Sequence, residues 1–250
     1  YDQCLQIMCV VHFYLGEYMC GIVGVMGGRF SSDERLNIVH RMSDSLNHRG
    51  PDANGVFSDD QISLGHRRLS IIDIDQRSNQ PMLDPSGRYA LVFNGEIYNY
   101  RELKLLLGNY NFITKSDTEV VLALYLAFGE DCLGMLSGQF ALAIWDTKRQ
   151  ALFIARDRIG EKPFYYGFKH GLFAFSSELK SLCQSRLFPV KPSQPAIVDY
   201  LINQSVRCPQ SIIEGISQLP PGHFGFVENN EVFINRYWPN KTESRVFSGE

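Results

Sequence analysis

Seven short runs rich in Ile, Val, Phe and Tyr, at 21–26, 62–69, 89–94, 139–146, 151–156, 163–168 and 172–176, constrain this chain more than any other feature. Runs of this length and content are strands. Most are joined by links of hairpin length carrying Gly, Asp and Asn, too short for a crossover helix, so neighbouring strands run antiparallel. Helical patterns fall between and after them, at 33–46, 100–107, 117–128, 177–184 and 195–203. The first carries Leu36, Val39, Met42 and Leu46 on one stripe, and Ser31 with Glu34 has capping-box spacing. Ser116 and Glu119 repeat that spacing ahead of Val120 to Leu124. Without regular βαβ alternation, the expected fold class is α+β.

With 250 residues, 44% of them apolar and 20% charged, the chain builds one domain, or one and a part. A net charge of −3 gives no reason to expect nucleic acid or an anionic membrane as partner. The six cysteines, at 4, 9, 20, 132, 183 and 208, have no paired C-x-x-C spacing, and no secretory signal precedes them. A reduced, cytoplasmic setting is therefore expected rather than a disulfide framework or a zinc site. Gly24, Gly27 and Gly28 fit neither phosphate-loop spacing and read as turn glycines, and no His, Asp or Glu spacing demands a metal. Pro189, Pro192 and Pro195 cluster where composition shifts, which marks a domain edge near residue 192. Beyond it, Gly222 to Val227 and Glu231 to Arg236 flank Glu228-Asn229-Asn230 as a β-hairpin.

The chemistry begins at Met19-Cys20-Gly21. If Met19 is the start and is removed, Cys20 carries its thiol and a free α-amine on one residue. A thiol attacks only as thiolate, and the adjacent amine can be its base, so no distant histidine is needed. A peptide bond on the Cys20 nitrogen would destroy that base. Residues 1–18 are therefore read as extraneous translated sequence, with a cleaved propeptide or a structural extension as the other readings. Their apolar stretch Cys4 to Leu15 lacks flanking Lys or Arg and a small-residue cleavage site, and is too short for a membrane span.

Three further segments have a bland reading and a chemical one, and two have a bland reading alone. Asn94-Gly95 follows an apolar strand: local sequence favours a hairpin turn, but an Asn amide beside a Gly N–H can also donate twice to an oxyanion. Asp117 falls in the first turn of a helix, where it compensates the dipole or pairs with a substrate ammonium. Arg67 and Arg68 end a strand and point to opposite faces, so at most one can reach a pocket and clamp a carboxylate. His48, in His48-Arg49-Gly50-Pro51-Asp52, reads as structural, and Arg156-Asp157-Arg158 as a solvated ion-pair cluster.

In order, Met19-Cys-Gly-Ile-Val-Gly, His48-Arg-Gly-Pro-Asp, Arg68-Leu-Ser-Ile-Ile-Asp, Asn94-Gly-Glu-Ile-Tyr-Asn, Ser116-Asp-Thr-Glu and Ala155-Arg-Asp-Arg-Ile-Gly-Glu-Lys-Pro resemble the glutaminase domain of class II glutamine amidotransferases. Over residues 19–238 the chain looks like the N-terminal part of a glutamine-hydrolysing asparagine synthetase or a close paralogue. The resemblance implies a four-layer αββα sandwich of two antiparallel sheets, the N-terminal nucleophile hydrolase fold. It implies Cys20 as nucleophile, Asn94 and Gly95 as oxyanion hole, Arg68 on the α-carboxylate of L-glutamine and Asp117 on its α-ammonium. The Ile71–Ile72 backbone and Glu96 would complete the pocket. Residues 19–192 would be the glutaminase domain and 193–250 a connector into a C-terminal synthetase domain. That domain's ATP-binding Ser-Gly-Gly-x-Asp-Ser loop does not occur here, so the sequence reads as truncated. No cofactor is expected in this chain, ATP and Mg belonging to the synthetase domain. A homo-oligomer is compatible with the sequence. A different acceptor, a hydrolase of another amide, and an inactive regulatory module with a blocked Cys20 stand as alternatives.

Overall fold

The computed structural model describes residues 19–238; the apolar stretch 4–15 and the segment after Trp238 lie outside the described residues. Twelve strands form two antiparallel six-stranded sheets. The first sheet holds β1 (Gly21–Gly27), β2 (Ala53–Ser58), β3 (Ile62–Arg68), β8 (Tyr165–Lys169), β9 (Leu172–Ser176) and β10 (Ile216–Gln218), in the order β10-β8-β9-β1-β3-β2. The second holds β4 (Met82–Leu83), β5 (Tyr89–Ile97), β6 (Gly138–Asp146), β7 (Ala151–Arg156), β11 (His223–Glu228) and β12 (Glu231–Arg236), in the order β12-β11-β7-β6-β5-β4.

Strand alternation sorts the core into three slabs. Between the sheets, Ile22, Leu64, Val92, Ala143, Trp145 and Phe175 meet, fully buried. On the outer face of the first sheet, Val23 and Val25 pack with Val39, Met42 and Leu182 of α1 (Ser32–Asp44) and α4 (Leu179–Ser185). On the outer face of the second, Leu91 and Phe93 pack with Val120, Val121 and Leu124 of α3 (Asp117–Phe128), with α2 (Tyr100–Leu106) beside it. Odd and even residues of β5 thus enter different slabs, which is what period two demands of a strand covered on both faces. The result is an α+β sandwich layered helix, sheet, sheet, helix.

The seven expected strands and five expected helices are all present, the fifth helix being α5 (Gln194–Asn203), with ends displaced by at most three residues. The capping box of α1 forms: Ser31 Oγ accepts from Glu34 N–H at 3.2 Å, and the Glu34 carboxylate accepts from Ser31 N–H at 2.8 Å. Only half of the second one forms. Ser116 Oγ accepts from Glu119 N–H, but the Glu119 carboxylate turns back to Ile113 and Thr114. The hairpin after residue 222 is present, with Asn229 and Asn230 both at positive φ as its two-residue turn requires. Gly24 is not a turn glycine. It lies inside β1, where an added Cβ would stand 2.2 Å from the Phe175 ring. Strands β2, β4 and β10 were not expected. Past the proline cluster, β10 adds to the first sheet and β11–β12 extend the second, so the described chain is built into the same sandwich up to Tyr237.

Candidate active site

One cavity of about 660 Å³ opens at the end of the sandwich where β1 begins and β5 ends. Its wall contains Cys20, Arg68, Ile71, Ile72, Asn94, Gly95, Glu96 and Asp117, every site residue expected from the sequence, and also Met19, Gln80 and Lys162. Both sheets contribute. Cys20 stands just before β1, and Arg68 ends the neighbouring β3, whose Arg67 pairs with Gly21. As the strand period requires, Arg67 points the other way, to Asp44, Asn47 and the Ser43 carbonyl.

The thiol is held but not ionised. Leu69 N–H donates to Cys20 Sγ at 3.4 Å, and the thiol reaches the Leu69 carbonyl at 3.7 Å. Burial raises the thiol's pKa, Asp117 adds to that, and the Leu69 amide with Arg68 and Arg49 opposes it without prevailing. Such a thiol needs a base before it can attack. Neither nearby histidine serves. His66 is buried between the sheets, its Nε2 bonded to the Phe93 carbonyl at 3.2 Å, and desolvation drives its pKa down to about 3. His48 is exposed and pairs with Glu178 at 3.0 Å.

Asn94 and Gly95 lie inside β5, opposite Ala141 and Phe140 of β6, so the hairpin-turn reading is overturned. The strand continues to Ile97 because Gly95 permits close pairing: a Cβ there would sit 2.3 Å from the Gln139 carbonyl. Phe93 and Ile97 turn their backbone groups away from β6, Phe93 N–H donating to Gln80 Oε1 at 2.6 Å and Ile97 N–H to Asp117 Oδ2 at 3.0 Å. Gly95, two residues from each, shares that orientation and lines the cavity. The Asn94 side chain is 1% exposed, and its Nδ2 has no hydrogen-bond partner. A buried amide without a partner costs on the order of 1–3 kcal/mol, a cost that a bound oxyanion would remove.

Asp117 opens α3 and is buried at the cavity wall. Desolvation is the main cause that lifts its pKa to about 6, against the bonds from Ile97 and Thr118 N–H. Arg68 has duties the sequence did not suggest. Its Nη atoms hold the loop after β3 through the carbonyls of Ile72, Asp73 and Asp75 and the side chain of Asn79. Asp73 ties that loop to the start of α3 by accepting from Lys115 N–H at 2.7 Å.

Two further supports went unseen in the sequence. Arg49, buried, donates from Nε to the Cys20 carbonyl at 3.1 Å and from Nη1 to Glu178 at 3.1 Å, which fixes the nucleophile's backbone. Arg156 and Asp157 form no solvated ion-pair cluster. Asp157 is 1% exposed and accepts from the N–H groups of Phe140, Ile159, Gly160, Glu161 and Lys162, while Arg156 donates to three carbonyls. The signal was available in the spacing: an Asp followed by Gly three residues later is an Asx-type loop organiser.

Residues 19–238, the span of the sandwich and its cavity, match a family of glutamine amidotransferase domains. The chain belongs to that glutamine amidotransferase family. It is 34% identical over 235 residues to asparagine synthetase [glutamine-hydrolyzing] 3 of Bacillus subtilis, covering 92% of this chain and 38% of that protein. To asparagine synthetase B [glutamine-hydrolyzing] of Escherichia coli it is 39% identical, over 66% of this chain and 30% of that protein. Amidase chyE of Penicillium rubens is 36% identical over 85% of the chain and 33% of its own length. The chain thus spans about a third of the length of these curated relatives. Among solved structures, the glutamine phosphoribosylpyrophosphate amidotransferase of B. subtilis shares the fold, with TM-score 0.64 at 18% identity over 89% of this chain and 50% of that one. No helix among the described residues is long and apolar enough to cross a membrane.

In this amidotransferase domain the Asp117 pKa has a direct consequence. Only the ionised carboxylate attracts an ammonium. With Asp117 as the ammonium's partner, the role the resemblance implies, glutamine binding to a Cys20→Ala protein, measured by calorimetry, is expected to be constant between about pH 7 and 8, where the substrate amine is still charged, and to weaken as pH falls through about 6, because binding must then expel a proton. Asp117→Asn removes the inflection and leaves binding weak at every pH.

Proposed function

We propose that this domain hydrolyses L-glutamine to glutamate and ammonia through a γ-glutamyl thioester on Cys20, once Cys20 is the first residue. The observation that carries the reading is the unpartnered, buried Asn94 amide in the cavity that also holds the Cys20 thiol. The α-amine takes the thiol proton as sulfur attacks the side-chain amide carbon. Asn94 Nδ2–H and Gly95 N–H hold the oxyanion, and the proton leaves with ammonia. Water then cleaves the thioester, regenerating the thiol and releasing glutamate. Arg68 and Asp117, opposite charges on one wall, suit the two ends of an amino acid. A carboxylate is a stronger acceptor than the loop carbonyls and competes for the Arg68 Nη protons. Ile71, Ile72 and Glu96 bound the space between.

The released ammonia would feed an ATP-dependent amide synthesis in a longer protein, asparagine from aspartate by default. The similarity to an amidase of P. rubens favours a second reading, in which the same glutaminase serves a different acceptor. Both readings place ATP and Mg in a following synthetase domain.

The test compares glutamate release from L-glutamine with turnover of its N-acetyl and α-carboxamide derivatives. We expect the derivatives to be poor substrates, and Arg68→Ala and Asp117→Ala each to raise KM about 10- to 100-fold with a smaller change in kcat, the effect of losing one charged hydrogen-bond partner of ~1.5–3 kcal/mol. Equal turnover of all three amides, or unchanged kinetics in both variants, would replace glutaminase with a hydrolase indifferent to the amino-acid end.

A further inference from the structure

The loop after β7 delivers into the cavity one cation, the lysine of the Ala155-to-Pro163 motif, to which the proposed chemistry assigns no role. Lys162 is 6% exposed and lines the wall beside Cys20. Its backbone N–H donates to Asp157 Oδ2 at 2.9 Å, and Asp157 in turn is fixed by the amides of Ile159, Gly160 and Glu161 and by Phe140 of β6. The loop is therefore cross-braced to the second sheet, and the ammonium is aimed from a rigid base. Its Nζ meets Met19 Sδ at 2.6 Å. Met19 is bonded to the Cys20 nitrogen, so the Lys162 head touches the end of the side chain carried by the residue whose removal frees the α-amine. After Met19 is removed, that ammonium and the amine face the same vacated space.

We propose that Lys162 is a positioning residue for the reaction, its fixed positive charge holding the Cys20 α-amine unprotonated at neutral pH so that the amine can act as base. This rests on the α-amine being that base. An ordinary α-amine has a pKa of about 7.7–8.0, so only about one in ten is neutral at pH 7. A like charge nearby disfavours the ammonium form and lowers that value. Two other cations near Cys20, Arg49 and Arg68, act in the same direction from other sides, and each is already engaged in fixed contacts. Arg49, from the loop after α1, donates to the Cys20 carbonyl and to Glu178 at the start of α4. Arg68, from β3, is bonded to the carbonyls of the loop it precedes. Asp117, from α3, and Glu96, from β5, are carboxylates and pull in the opposite direction. Lys162 offsets them.

The experiment uses protein that begins at Cys20 and retains all downstream sequence, as wild type, Lys162→Met and Lys162→Arg. Two quantities are read against pH: kcat/KM for glutamine, and the reactivity of the α-amine in competitive acylation, which needs no turnover. Lys162→Met is expected to move both the acidic limb of kcat/KM and the amine's titration up by about one pH unit, lowering kcat/KM several-fold at pH 7 and restoring it above pH 9. Lys162→Arg keeps both near wild type, because the charge remains. A melting temperature for each variant separates misfolding from the intended effect. An amine titration unchanged in Lys162→Met overturns the proposal, as does a rise in KM alone, which would make Lys162 a substrate contact. A shifted titration with an unshifted rate profile keeps Lys162 as the tuner of the amine and refutes the amine as base, so the two readings fail separately.

Discussion

Glutamine hydrolysis is expected to disappear when Cys20 is replaced by alanine, with a loss on the order of 10⁴- to 10⁶-fold, the scale seen when a covalent nucleophile is removed from an enzyme. The physical reason is that nothing else in the cavity can form the acyl intermediate. Cys132 and Cys183 do not line it, the Ser78 hydroxyl donates to Asp73, whose carboxyl is held below its ordinary pKa and is a weak base, and the Thr118 hydroxyl accepts from Gln80 Nε2. Ser116 Oγ is occupied in capping α3. The Cys20→Ala protein is expected to melt within a few degrees of wild type, since it loses one sulfur whose bonds to Leu69 are long. It should also still bind glutamine, because Arg68 and Asp117 are untouched. A companion form that keeps any residue ahead of Cys20 should be equally inactive, with its thiol intact and reactive to alkylation at high pH. Burial raises the thiol's pKa, and an amide nitrogen in place of the amine cannot lower the barrier to ionisation. Glutamate release by either form at the wild-type rate would remove Cys20, or its amine, from the mechanism.

The parts of this molecule that were legible in the sequence are those whose information is local. The short apolar runs specify the strands, and Ser31 with Glu34 specifies where α1 begins, because capping and run composition involve residues a few positions apart. The candidate site was legible as a set of residue types in a fixed order, but the partners of those residues were not. Arg68 read as a clamp for a carboxylate. Its hold on the loop of Ile72 to Asn79 appears only when β3 delivers it beneath that loop. Asn94-Gly95 read locally as a turn because Asn-Gly pairs favour one. Pairing with β6 over the whole of β5 overrides that preference, since register is set by burial on both faces and not by a dipeptide. Arg156 and Asp157 looked solvated because alternating charges usually are, and charge alone does not tell a buried organiser of N–H groups from a surface ion pair. The short strands β2, β4 and β10 fell below what periodicity can resolve, and they exist because a neighbouring long strand offers them a ladder.

Asn94 carries the other large expected effect. Asn94→Ala should reduce kcat for glutamine by about 10²- to 10³-fold, equivalent to ~2.7–4 kcal/mol, the range for losing one oxyanion donor from a preorganised site. The geometry argues that the loss falls on kcat and not on KM. The amide is buried, without a partner in the unliganded cavity, and lies on the opposite sheet from the thiol, so its bond forms as negative charge develops on the substrate oxygen and is weak to a neutral carbonyl. Its backbone is locked by the β5–β6 ladder, and the Phe93 carbonyl next to it is bonded to His66 across the interface between the sheets, so the donor does not reorganise during the reaction. Unfolding does not explain such a result either. Removing an amide that has no partner relieves a desolvation cost, so Asn94→Ala should be as stable as wild type or more so, with a melting temperature equal or higher. Asn94→Asp separates the donor from the shape. It keeps the size of the side chain, puts an acceptor where a donor is required, and should be at least as slow as the alanine form at pH 8. A kcat within a factor of three of wild type in Asn94→Ala, or a loss confined to KM, would move the oxyanion to another donor of the cavity.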